Sequence, residues 1–217
     1  MRATTLQPFR AGPAPRACRI RAAVPRANAV TVCAAKTVEL TSVERQALAA
    51  FNATNTEKTK EGVLRLLTRA ALGRQVDAEV TEGALLALEQ MVAGESTGPV
   101  PDVAGTWRLV FGTATKFRPF QWIPVKEDFI INDQTKDLSL ESALGPLDFF
   151  IRGRMNAWRP ESGELEFQFN KVDIHFRGEK VYEVNPKTKP KTYTFFHVGP
   201  ELACARSSAG GLALMRK

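Results

Sequence analysis

The feature that most restricts this chain is a change of hydrophobic period partway along it. Val63, Leu66, Leu67, Ala70 and Ala71 follow the i, i+3, i+4, i+7, i+8 spacing of one helix face. From Gly105 onward the period is two: Leu165, Phe167 and Phe169 alternate with Glu164, Glu166 and Gln168, which puts them on one face of a strand. The aromatic residues divide in the same way. Sixteen of the 18 lie at or after Trp107, and residues 36–95 hold one, Phe51. Aromatic side chains favour pleated, half-buried surfaces. A helical part followed by a strand-rich part predicts an α+β fold rather than interleaved βαβ units.

Local punctuation supports both halves. Thr41-Ser42-Val43-Glu44 reads as a capping box, in which side chains satisfy the free amides of a helix start, and this first helix is expected to reach about Phe51. Gly73 stands where a left-handed cap would close the second helix. Asp77 caps a third, with Val80, Ala84, Leu85, Leu88 and Met91 on its buried side and Gly94 at its end. Residues 94–101 hold two Pro and two Gly and read as a linker. In the second half Val172, Ile174 and Phe176 alternate on the opposite parity to Leu165–Phe169, so a bulge or bend is expected near Asn170-Lys171. Turn signals recur at Asn132-Asp133, Gly145-Pro146, 160–163, Asn185-Pro186 and Gly210-Gly211. About eight strands result, enough to close an antiparallel barrel around one small ligand, with a sandwich as the other arrangement.

The first 35 residues stand apart. They carry Arg2, Arg10, Arg16, Arg19, Arg21 and Arg26, four prolines and no acidic residue. An Arg- and Ala-rich, acid-free start without an apolar core is the composition of an organelle transit peptide, removed in the mature protein. The expected organisation is therefore a leader at 1–35, a helical segment at 36–95, a linker at 96–104 and a strand domain at 105–217. The full chain has net charge +7, but without the leader Lys+Arg number 24 against 23 acidic residues. The basicity belongs to the leader, so it does not argue for nucleic-acid binding. Cys18 and Cys33 also fall in the leader, leaving Cys204 without an internal disulfide partner.

Few residues offer catalytic chemistry. There is no G-x-S-x-G elbow, no P-loop and no G-x-G-x-x-G. His175 and His197 lack the neighbouring ligands a zinc site needs. His175 is placed on the solvent side of its strand, and Cys204 reads as a small buried residue. Glu164 and Glu166 share the wet face of a strand. The reading is of a non-enzymatic protein with no cofactor and no metal. A lipid-modifying enzyme using His197, Cys204 or Glu166 is the competing chemical class.

The aromatic residues carry more information. Trp107, Phe129, Phe149, Phe167, Phe169, Phe195 and Phe196 line a lipid cavity or fill a dry core; sequence does not separate these, because interiors pack densely. The loop 116–124 mixes Phe117, Phe120, Trp122 and Ile123 with Lys116, Arg118 and two prolines. Rings beside cations suit a lipid–water interface. The same loop folded over a barrel end, with its rings buried, would read alike.

The strand half begins with Gly105-Thr106-Trp107, a G-x-W tripeptide that resembles the first strand of the lipocalin superfamily. A wider resemblance is to the plastid lipid-associated proteins, or fibrillins. Their pattern is a leader, short helices ending in "LE", a Pro-containing linker, an "L-x-G-x-W-x-L-x-(Y/F)-T" strand, and a late Arg before Gly/Ser residues and a final apolar strand. Here the corresponding segments are Leu88-Glu89, 99–101, "VAGTWRLVFGT" and "ACARSSAGGLALMRK". The resemblance covers about residues 40–217. The family's acidic residues before the late arginine are missing apart from Glu201, and Ser207-Ser208-Ala209 stand where glycines are common.

The resemblance implies a lipocalin-like barrel that binds or organises carotenoids, prenylquinones or fatty acids at plastoglobule or thylakoid surfaces. It also implies that Trp107 closes one barrel end under a cation–π contact from Arg206, with Arg216 as the other partner open by sequence. A carrier that delivers lipid to a plastid prenyl-lipid biosynthetic enzyme, stromal rather than membrane-bound, is the alternative. The leader's composition also fits mitochondrial import; the resemblance alone tips it to the plastid.

Overall fold

The computed structural model describes residues 39–55, 58–95, 97–115 and 118–217. The leader expected at 1–35 lies outside the described residues. Three helices come first. α1, Ser42–Thr54, starts at the expected capping box: the Thr41 hydroxyl accepts the Glu44 amide and the Glu44 carboxylate accepts the Thr41 amide. α2, Lys60–Gly73, buries the five residues its spacing put on one face. Its left-handed cap is Arg74 (φ 52°), one residue beyond the glycine expected there. The helix runs on because the Arg74 amide still reaches the Ala70 carbonyl. α3, Ala78–Met91, is capped by Asp77 and buries Ala84, Leu85 and Leu88, while Met91 at its last position turns outward. A four-residue helix, α4 (Val100–Val103), falls inside the expected linker.

The rest is one antiparallel sheet. Its strands are β1 Gly105–Gly112, β2 Lys126–Asn132, β3 Asp137–Leu144, β4 Leu147–Arg159, β5 Glu164–Phe176, β6 Glu179–Val184, β7 Lys191–Val198, β8 Leu202–Ser207 and β9 Leu212–Arg216. The order is β4-β3-β2-β1-β9-β8-β7-β5-β6, and β4 also pairs with β5. That second pairing brings the sheet round on itself, so eight strands form a ring and a ninth hangs from it. The ninth follows from the length of β5. Its residues 164–167 pair with β7 and its residues 172–176 pair with β6, so one long edge takes two neighbours in turn.

The expected phase slip is present. Between Phe169 and Lys171 the pairing with β4 shifts, opposite Arg152 and Gly153. Gly153 is required there, because a Cβ would collide with the Gln168 backbone carbonyl.

The sheet has two buried faces. The outer face of β1, β8 and β9 gives Val110, Phe111, Leu202, Cys204, Leu212 and Leu214 to a core shared with the helices, where Phe51, Val63, Leu67 and Leu85 meet them. The inner face of the ring holds a separate core built on Trp107, Phe129, Phe167 and Phe195. No described helix is long and apolar enough to cross a membrane.

Candidate functional site

Strand alternation decides which side chains enter the ring, and burial along each strand shows how they are arranged. On β2, Ile131 and Phe129 are buried while Glu127, on the same parity, is half-buried. On β3 the sequence is Leu138 buried, then Leu140 and Ser142 half-buried. On β4, Met155 and Gly153 are buried, then Ile151 and Phe149 half-buried. On β5, Leu165 and Phe167 are buried, then Phe169, Val172 and Ile174 half-buried. The registers Phe129↔Leu140, Leu140↔Ile151 and Ile151↔Val172 keep these residues level with one another. The interior is therefore graded, with a sealed end and a more accessible apolar end.

The sealed end is closed by the segment 97–103. The Trp107 indole donates to the Val103 carbonyl at 2.7 Å, and the Trp158 indole donates to the Gly98 carbonyl at 3.2 Å. Thr97 is tied to the Pro160 carbonyl through its amide and its hydroxyl. Val103 is buried in the inner core. The stretch read as a linker thus also covers one end of the ring. Trp and Thr anchor it because buried polar groups need partners.

The accessible end carries two polar groups among apolar walls. The Glu127 carboxylate faces Ser142 across the β2–β3 pair and has no hydrogen-bond partner among the described residues. Burial pushes its pKa above the usual carboxylate range. The Tyr193 ring lies 5.7 Å from Phe129 and 5.2 Å from Phe167, and burial, then the nearby Glu127 charge, push its phenol up. The Lys191 ammonium sits 5.7 Å over the Phe169 ring. Sequence reading passed over Glu127 and Tyr193. The signal was available for Glu127: it shares parity with Phe129 and Ile131, so a charged residue occupies an inward position.

The sequence-predicted lining residues separate into two groups. Trp107, Phe129, Phe167 and Phe195 lie deep and fully packed. Phe129 and Phe167 are 5.9 Å apart, and Phe167 meets Phe169 edge-to-face at 5.3 Å. Phe149 and Phe169 are the two at the accessible end. Phe196 belongs to neither group: it points outward and packs against the helix-side core.

The expected Trp107–Arg206 contact does not form. In β8, Ala203 and Ala205 point into the ring, so Arg206 shares the outward parity of Cys204. It lies between the helices instead. Its Nε and Nη2 donate to Glu89 at 2.7 and 2.6 Å, and its Nη1 donates to Glu44 at 2.9 Å. Burial opposes its charge, but these carboxylates raise its pKa further. The cation over Trp107 is Lys217, 4.7 Å from the ring centroid. Arg216 also points away from the ring.

In the interface loop, Phe117 lies outside the described residues. Phe120 is 59% exposed, on a 3₁₀ turn at Arg118–Phe120. Trp122 turns inward and meets Phe111 edge-to-face at 4.9 Å. The Ile123 amide donates to the Val110 carbonyl, which ties the loop to β1. Of the three that are described, the structure leaves Phe120 outward.

The candidate reactive groups are scattered. Cys204 is buried under the helices, and burial raises its thiol pKa well above the usual range. His197 is held below its usual value by burial, then by Lys60. His175 packs on Phe150 at 4.9 Å on the outer face. Glu164 and Glu166 both face Arg159. No three His, Cys, Asp or Glu residues are grouped to hold a metal among the described residues.

Comparison with known proteins adds no relative: no family model, no curated protein and no solved structure matches this chain.

Proposed function

We propose that this is a fibrillin-type plastid lipid-associated protein, in which the ringed strands form a lipocalin-like barrel that holds a hydrophobic lipid. The observation that carries the reading is the graded interior. One end is sealed by residues 97–103, and the other presents Leu140, Phe149, Ile151, Phe169, Val172 and Ile174 half-buried around Glu127 and Tyr193. Apolar pockets with a few placed polar groups are the usual form of small-molecule sites. An apolar chain would lie against the phenylalanines. A terminal hydroxyl would donate to the Glu127 carboxylate, and a terminal carbonyl would accept from the Tyr193 hydroxyl. Oxygenated carotenoids, prenylquinones and fatty acids all have this build.

The exposed Phe120 beside Arg118 supports peripheral contact with a plastoglobule or thylakoid surface, the ring of Phe120 entering the acyl boundary. The reading assigns no catalytic residue.

Mass spectrometry of an organic extract of the native, plastid-purified protein tests the reading. A stoichiometric lipid that is lost on Phe149→Asp and Phe169→Asp substitution is expected. An empty protein that also fails to take up a polyene fatty acid in fluorescence titration overturns the ring as a lipid site. Flotation with plastoglobules separates a membrane-surface protein from a stromal carrier serving a biosynthetic enzyme. A fluorescent fusion of residues 1–40 separates plastid from mitochondrial import.

A further inference from the structure

A second site lies outside the ring, where the end of α2 meets β1, β2 and β9. Arg74, Arg108, Lys126 and Arg216 line one cavity of about 230 Å³, with Leu72, Val110 and Pro124 completing its wall. Among the described residues that line it there is no carboxylate. The four cations come from four separate elements, so their convergence is a product of the tertiary structure.

One placement is unfavourable unless a negative charge lies near it. Arg108 and Arg216 are direct cross-strand partners in the β1–β9 pair, where like charges repel. Arg216 has no side-chain partner among the described residues. Arg74 holds the left-handed conformation that glycine favours, and its guanidinium reaches the Ile123 carbonyl at 2.5 Å, which fixes it at the rim.

The compensating charges are too few. Asp128, outside the lining, pairs with Arg108, and more loosely with Lys126 at 3.5 Å. The carbonyl end of α2 contributes about half a negative charge. The four lining cations thus meet no acid in the lining itself, and Arg108 and Lys126 share the one carboxylate of Asp128. Another basic hollow shows the contrast. Around β4 and β5, Arg152 pairs with Asp173, Arg154 with Asp137 and Lys171 with Asp173 and Glu183.

We propose that this cavity binds a phosphate-type oxyanion, carried by a lipid headgroup or free in solution. Guanidinium groups match such anions with paired, charge-assisted hydrogen bonds. The volume admits the anion together with bridging waters, each taking about 30 Å³. Leu72 is 66% exposed on the cavity wall, an apolar contact next to the cations that suits a headgroup at a membrane surface. The site uses none of the ring's inward residues and stands or falls apart from the lipid reading.

The test titrates inorganic phosphate into the protein, against chloride at matched ionic strength, and follows the backbone amides of residues 72–74 and 124–126 by NMR. Saturable shifts are expected, weakened about tenfold or more in Arg216→Gln and lost in Arg216→Glu. Arg216 has no partner to lose, so these variants fold; Lys126→Gln serves as a second, milder variant. Sedimentation with phosphatidylcholine vesicles, with and without phosphatidylglycerol, identifies the source. A preference for the anionic vesicles that Arg216→Gln removes assigns a headgroup; phosphate shifts without that preference assign a free phosphate. Absence of saturable shifts, or equal shifts in the wild type and Arg216→Gln, overturns the proposal. Polyene fatty acid uptake in the same Arg216→Gln protein is expected to be unchanged, so failure of the anion site and failure of the ring remain distinguishable.

Discussion

The two apolar cores of this protein lie on opposite faces of β1, β8 and β9 and are finished differently. The outer core, between the helices and β1, β8 and β9, is closed at its centre, where Phe51, Val63, Leu67, Leu85, Phe111 and Leu214 are all essentially without exposed surface, with partly buried side chains such as Leu48, Val80 and Trp122 at its rim. The inner core is closed only at the end covered by residues 97–103 and opens by degrees towards Phe149 and Ile174. A side chain in the first has only packing to contribute. A side chain at the accessible end of the second leaves apolar surface in reach of water, which is unfavourable in the empty protein and becomes favourable when a ligand covers it. Stability and binding therefore reside in different places: helices against sheet for the one, the accessible wall of the ring for the other.

Phe111→Ala should have the greatest consequence. It empties space between helices and sheet and should cost about 3–5 kcal/mol in denaturant unfolding. Phe149→Ala should cost much less and should instead weaken uptake of a polyene fatty acid. Equal destabilisation by the two would erase the distinction between the cores.

Next in size is Arg206→Met, expected to cost about 2–3 kcal/mol at neutral pH, because it strands Glu44 and Glu89 in a partly buried position. Burial pushes the Glu44 pKa up, but bonds from Thr41 and Arg206 outweigh this and hold it below 4.5. A depressed carboxylate contributes stability above its unfolded pKa and loses it as the pH falls through the folded value. The gap between wild type and Arg206→Met should therefore narrow below about pH 4.5 when unfolding is measured across pH. A gap that stays constant would show that Arg206 acts by packing alone.

Trp107→Phe keeps most of the ring volume but removes the bond to the Val103 carbonyl, a loss of about 1 kcal/mol. Hydrogen exchange should quicken in residues 97–103 ahead of the helices. Exchange that quickens equally in both regions would mean that the sealed end and the outer core open as one unit.

Glu127→Gln should change least. A carboxyl whose folded pKa is raised destabilises the native state above that pKa and ceases to do so as the pH falls below the unfolded value of 4.5. The variant should gain slight stability at neutral pH and none in acid. No gain at neutral pH would place Glu127 in water and remove it from the ring's interior.

Much of the frame was legible from local pattern. The Thr41–Glu44 box, the buried stripe of α2 and the Asp77 cap depend on residues three or four apart, which interact whatever the rest of the chain does. The slip at Asn170 was legible because a parity change between two apolar runs has no other outcome in a strand. Cys204 was legible as buried from its small apolar neighbours. The candidate site was legible in part: Phe149 and Phe169 were named with Phe129, Phe167 and Phe195, but nothing local ranks them by depth. Glu127 was passed over because a lone acid in a strand normally faces solvent, and only its neighbours' parity argues otherwise.

The type and order of the elements were already written in the chain, because helix and strand periods and the caps between them are short-range properties. Which elements meet was a matter for the folded whole. The β4–β5 pairing joins the ring, β6 is left outside it, and Arg206 meets Glu89 across 117 positions of chain. Folding also set Lys217 rather than Arg206 over Trp107 and gathered Arg74, Arg108, Lys126 and Arg216 around one cavity. Such contacts depend on the register and closure of the whole sheet, in which a one-residue shift sends each side chain to the other face.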